Sequence, residues 1–150
     1  MAVTVAPSTE AMSAITDRIN SGTAYSFDIA AEYTDEVIDP LEEIAGLRVD
    51  VVSESEEQLE ETLDAEDRTS HVLRIWVRQK VDDVRNGTVD PLKLLVRQIF
   101  QRVNDYDSTD GRVAVWEVDT DAKQTPDKVI LRQHWLFIAS IVLRVEVEAS

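Results

Sequence analysis

Cysteine is absent from this 150-residue chain, which removes disulfides, thiolate zinc sites and cysteine nucleophiles. A reducing cytoplasm is compatible with that absence. Histidine is nearly absent: His71 and His134 are the only two, and neither lies in a recognisable motif. A serine nucleophile needs a positioned base, and a lone strand histidine is structural by default. The four glycines are scattered, so no phosphate-cradling loop is present. No apolar run approaches bilayer-spanning length, and the opening MAVTVAPSTE lacks the basic region of a secretory leader; neither a membrane span nor a leader is expected. Positive charge is scarce too. Thirty acidic residues face fifteen basic ones, for a net charge of −15. Such a chain repels phosphate, which argues against wrapping duplex DNA or binding RNA. Three tryptophans are available to stack bases, but no basic groove accompanies them.

What is present reads as a single α+β domain over residues 1–150, long enough to bury a real core. Its clearest stretch is DPLKLLVRQIFQRVN, residues 90–104. Asp90 reads as N-cap and Pro91 as the first helical residue. Leu92, Leu95, Val96, Ile99, Phe100 and Val103 then recur at helical spacing and make one apolar face. Residues 1–7 read as an arm. A first helix is expected over 8–20, with Ser8 or Thr9 as cap, and with Ala11, Met12, Ile15 and Ile19 on one side. Ser21-Gly22 is expected to close it with glycine in the left-handed conformation.

Strands are expected where the pattern alternates. Tyr25, Phe27, Ile29, Ala31 and Tyr33 give one; Leu47, Val49 and Val51 a second; Ser70–Lys80 a third; and Arg112–Val118 a fourth. The stretch from Val129 to about Val147 gives a long last strand. Asp39-Pro40-Leu41 reads as a single helical turn, and Val81–Val89 as a loop. Residues 54–67 hold eight acids and no base, which reads as a solvated acidic loop. The sum is a mostly antiparallel sheet of about five strands with two helices packed on it.

The chemistry-bearing patterns are weak. Asp105–Gly111 superficially suggests a calcium loop, but that loop needs glycine sixth and glutamate twelfth. Counted from Asp105, glycine comes seventh and Trp116 stands twelfth. A turn with an Asp-Gly corner accounts for the same residues. Asp119 and Asp121 form an isolated D-x-D. No catalytic, cofactor or metal residues are assigned.

The order of elements, with TSHVLRIWVRQKVDD, DPLKLLVRQIFQRVN and the closing LFIASIVLRVEVE, resembles the tail terminator proteins of long-tailed phages, also called tail-completion or neck proteins. The resemblance covers roughly Ser8 to Val147 and rests on element order and pattern. It implies a structural virion protein with no catalytic signature and no cofactor. Such proteins form a ring, usually hexameric, that caps the tail tube protein and joins it to the head connector or stopper. The family's place is the virion neck, reached from the host cytoplasm, with DNA only in passage. An acidic channel would let the duplex slide without sticking.

Within that reading, Lys93, Leu94, Arg97 and Arg102 form a basic outer side of the main helix. It is a candidate subunit or partner contact for acids such as Glu56, Glu57, Glu60 and Glu61. A head-closure or stopper protein is the alternative within the same machine. A small metal-assisted hydrolase or a binding module is the alternative of another class. A ring protein predicts stoichiometric self-association, whereas an enzyme predicts a concave pocket lined by convergent polar groups.

Overall fold

The computed structural model describes residues 5–39, 41–42, 44–58, 68–119 and 127–148. The elements run α1 (Pro7–Asn20), β1 (Ala31–Thr34), β2 (Arg48–Gln58), β3 (Arg68–Lys80), α2 (Asn86–Val103), β4 (Val113–Val118), α3 (Lys128–His134) and β5 (Leu136–Glu148). The five strands form one sheet in the order β1-β2-β3-β5-β4. Only β1–β2 is parallel; the other pairings are antiparallel. The fold is therefore α+β with a mostly antiparallel sheet, as the alternating segments suggest.

The core lies on one face of the sheet. Val49 and Val51 of β2, Leu73, Ile75 and Val77 of β3, and the odd-numbered residues of β5 from Phe137 to Val147 point to it. α1 lays Ala11, Met12, Ile15 and Ile19 on this face, and α2 adds the six apolar residues of its stripe together with Val89. The period-2 and period-3.6 patterns thus meet in one layer.

Several local expectations are corrected. α2 begins at Asn86, a full turn before Asp90, so Pro91 sits inside the helix. The carboxylate of Asp83 accepts from Arg85 N at 2.9 Å, and Thr88 N and Val89 N both bond to Arg85 O at 3.0 Å, which opens the helix early. α1 begins at Pro7 after Ala6, with no side-chain cap from Ser8 or Thr9. It ends without left-handed glycine: Gly46 and Gly111 are the described glycines with positive φ. At Gly22 the constraint is different: a Cβ there would meet the Tyr25 hydroxyl at 2.5 Å, so the Tyr25 ring would have to shift.

The expected strand over 25–33 shrinks to Ala31–Thr34. Upstream of it the backbone polar groups take side-chain partners instead of a ladder. Asn20 brackets Ala31 at 2.7 and 3.0 Å, and Gln98 Oε1 accepts from Ser26 N at 2.7 Å. At the expected helical turn after Asp39, Glu42 N donates to Asp39 O at 3.2 Å; residues 40 and 43 of that stretch lie outside the described residues. Residues 54–58, expected in a solvated loop, continue β2 as far as Gln58 opposite Thr69, because β3 supplies a pairing edge for that length. The remainder of that acidic stretch, 59–67, lies outside the described residues.

The long final segment is two elements. Asp127 accepts from Val129 N and Ile130 N at 3.0 and 3.1 Å and caps α3. Trp135 then turns the chain in a left-handed conformation, φ 53°, into β5.

Candidate functional site

The residues with catalytic chemistry do not converge. His71 is fully buried on β3. Its Nε2 lies 2.7 Å from Thr69 Oγ1 and 3.6 Å from Glu56, while its Nδ1 has no hydrogen-bond partner. A general base in a triad needs one nitrogen on the nucleophile and the other held by an orienting acid. Here one nitrogen faces both groups and the other is buried without a hydrogen-bond partner. Burial pushes the imidazole below its ordinary value, and the nearby Glu56 carboxylate opposes that shift. His134 stands exposed in the last turn of α3; the two histidines lie at opposite ends of the sheet, His71 beside the Glu56 pairing and His134 just before Leu136, which pairs with Lys80.

The Asp105–Gly111 stretch is a turn, as its residues suggest. Ser108 donates to Asp110 at 2.6 Å, Arg112 N donates to the same carboxylate oxygen at 3.0 Å, and Gly111 takes φ 72°. These two bonds hold the Asp110 carboxyl below the usual carboxylate range. Among the described residues no group of three or more His, Asp or Glu side chains is placed to hold a metal. A groove of about 570 Å³ lies between α1 and the 108–113 turn. Its arginine, Arg112, is spanned by Glu10 at 3.0 Å.

The basic side of α2 divides in two. Lys93 and Arg97 are exposed and Leu94 is 51% exposed between them, with the Arg97 guanidinium over the Phe100 ring at 4.8 Å. Arg102 turns away from them to α1. Its Nε donates to Arg18 O at 3.0 Å, while Arg18 Nε donates to Arg102 O at 2.9 Å. Arg102 also donates to Ser21 Oγ at 2.8 Å. This reciprocal brace ties the C-terminal ends of α1 and α2, where positive charge also complements the helix dipoles. Of the acids named as counterparts, Glu56 is exposed near the end of β2 and Glu57 lies on the same strand; Glu60 and Glu61 fall outside the described residues.

The second face of the sheet was not singled out in the sequence. Val52, Leu136 and Ile138 are buried there but stand apart from the main core, which takes its helix contacts from the other face. Around them lie arginine–aromatic pairs. Arg74 sits over Trp76 at 5.2 Å and Arg144 over Trp116 at 5.8 Å, and Trp116, half exposed, donates to Ser70 Oγ at 3.2 Å. At one end Arg78 is wholly buried, bonded to Asp50 at 2.9 Å and Glu42 at 2.7 Å. The signal for this face was the run Arg74, Trp76, Arg78 along β3, which alternates with that strand's core residues.

The fold and its surfaces define a two-layer α+β domain: helices pack on one sheet face, and arginine and tryptophan side chains line the other. In comparison with known proteins, no family model matches this sequence and no curated protein matches it.

Proposed function

We propose that this chain is a structural assembly protein of the tail-terminator type, a subunit of a ring that caps a tail tube and joins it to a head connector. The observation that carries this reading is the sheet face just described. Trp76, Trp116, Val52 and Val142 lie on the face opposite the one on which α1 and α2 pack, and it carries no helix among the described residues. Rigid aromatic and arginine side chains of this kind are the residue types enriched in protein–protein contacts. The face spans β3 and β5, thirteen residues each, or roughly 40 Å in length at about 3.4 Å per residue. The outward Lys93, Leu94 and Arg97 offer a second surface to a neighbouring subunit or an axial partner. Net charge of −15 per copy suits a channel that DNA crosses without binding.

The test is native mass and negative-stain imaging of the purified chain. Closed rings of uniform subunit number are expected. A chain that stays monomeric at high concentration and turns over a small substrate would sink the proposal.

A further inference from the structure

Acids outnumber bases two to one in this chain, and most of its arginines are neutralised. Arg48, Arg68, Arg74, Arg78, Arg112 and Arg144 each reach a carboxylate. Arg18 and Arg102 stand side by side and reach none among the described residues. Their brace fixes both guanidiniums: each Nε is held by the other residue's carbonyl, Arg102 also donates to Ser21, and Arg18 lies over the Tyr106 ring at 4.9 Å. A guanidinium has five N–H donors. The brace takes one from Arg18 and two from Arg102, and the others have no partner among the described residues.

Both arginines line one groove of about 310 Å³ between the C-terminal ends of α1 and α2. Thr23, Tyr25, Gln98 and Gln101 share the lining, and no carboxylate does. Gln98 Oε1 is occupied by Ser26 N, which leaves that side chain with its amide donors. Asp17, the acid next to Arg18 in sequence, lines the other groove with Glu10 and Asp110. Burial raises the Tyr25 phenol above its ordinary value, and the Arg102 and Arg18 guanidiniums oppose the rise, so both charges are felt at one hydroxyl. The two helix C-termini contribute about half a negative charge each. The two guanidiniums carry twice that, and the groove stays positive.

We infer that this groove binds a phosphate group, clamped by Arg18 and Arg102, with Thr23, Gln98 and Gln101 as further donors. A carboxylate matches one guanidinium fork. A phosphate monoester has nearly two negative charges and three acceptor oxygens, so it can meet both forks at once. Because the clamps are already fixed, little side-chain freedom is lost on binding. Duplex DNA would bring a long row of charges against a chain of net −15. A single phosphate meets only this local cluster, since more distant charges are screened beyond about 8 Å at physiological salt. One copy of the chain suffices for the site, so it does not depend on the ring.

The test is a proton–nitrogen NMR titration of the full chain at about pH 7, with ionic strength held constant by sodium chloride. The probes are inorganic phosphate and, separately, acetate. Phosphate is expected to shift the Nε–Hε signals of Arg18 and Arg102 along a saturating curve, with Kd on the order of 1 mM. Exposed Arg97 should not follow. Acetate should bind at least about tenfold more weakly. Gln101 is exposed and lies outside the brace, so Gln101→Glu places a carboxylate in the groove while the backbone amide pattern stays that of wild type. That variant should lose at least about tenfold in phosphate affinity. Shifts that never saturate, or that spread equally to Arg97, would overturn the site. So would a Gln101→Glu variant that binds phosphate like wild type. Equal affinity for acetate would overturn the assignment to phosphate.

Discussion

Arg78 and Asp50 stand diagonally across β3 and β2 and meet at 2.9 Å, with side-chain exposures of 1% and 3%. Two further acceptors share the guanidinium, Glu42 Oε1 at 2.7 Å and the Asp39 carbonyl at 3.4 Å. The network therefore ties the 39–42 turn onto the outer sheet face. Removing one member of a buried pair strands the other charge and costs about 3–5 kcal/mol. Asp50→Ala should lower the stability by that amount. Replacing both, Asp50→Val with Arg78→Met, should recover most of it, since two apolar side chains need no partners there. Urea unfolding of the two single variants and the double variant gives the coupling directly; additive losses would show that the pair is not one unit.

Gly22 tests packing rather than backbone conformation. Its Cβ would fall 2.5 to 2.8 Å from three atoms at the far end of the Tyr25 ring, whose hydroxyl donates to Ile19 O at 2.7 Å. Gly22→Ala should displace the ring and lose that bond, at about 1–2 kcal/mol. In a Tyr25→Ala background the same substitution should have almost no effect. Thermal melts of the four proteins measure the difference.

Arg97 and Arg102 look equivalent in sequence and are not in the fold. Arg97→Glu changes an exposed side chain resting on Phe100 and should shift stability by no more than about 0.5 kcal/mol. Arg102→Glu breaks the reciprocal bonds with Arg18 and the bond to Ser21, and puts a negative charge against two helix C-termini. It should cost about 2 kcal/mol. A chemical denaturation midpoint that falls equally in both variants would contradict the brace.

How much of this was readable depends on distance along the chain. The α2 stripe was legible because its apolar residues repeat within a few positions, and all six are buried. Its start was not, because Asp90-Pro91 imitates a helix opening, whereas the turn that begins the helix is made by the Asp83 side chain and Arg85 N. α3 was hidden inside an apolar run that leads straight into β5; only the Asp127 cap marked it. Nothing in composition signals a tryptophan in a left-handed turn. The alternation over 25–33 reported burial correctly for Tyr25, Phe27 and Ile29, which pack on the core, but could not show that Asn20 and Gln98 replace the strand ladder. The burial of Arg78 depends on Asp50, 28 residues away, and pairing at that separation leaves no local pattern. The candidate surfaces suffered most, since they are assembled from the ends of several strands.

His71 gives the last prediction, a stability that depends on pH. Burial holds its imidazole below the ordinary histidine value of 6.5, with Glu56 opposing the shift. The unfolded chain therefore takes up a proton at a pH where the folded chain does not. Folded stability is complete above about pH 6.5 and falls as the pH drops below it toward the lower folded value. A protonated ring would also place a second N–H donor at Nδ1, which already lacks a partner. In His71→Phe, of similar size and without a titrating group, the decline below about pH 6.5 should flatten. Carboxylates away from His71 contribute equally to both proteins, so the difference between their urea midpoints reports the histidine together with its Glu56 neighbour. Parallel pH profiles for the two proteins would mean that His71 is protonated to the same extent folded and unfolded, and the apolar confinement of its ring would no longer account for the shift.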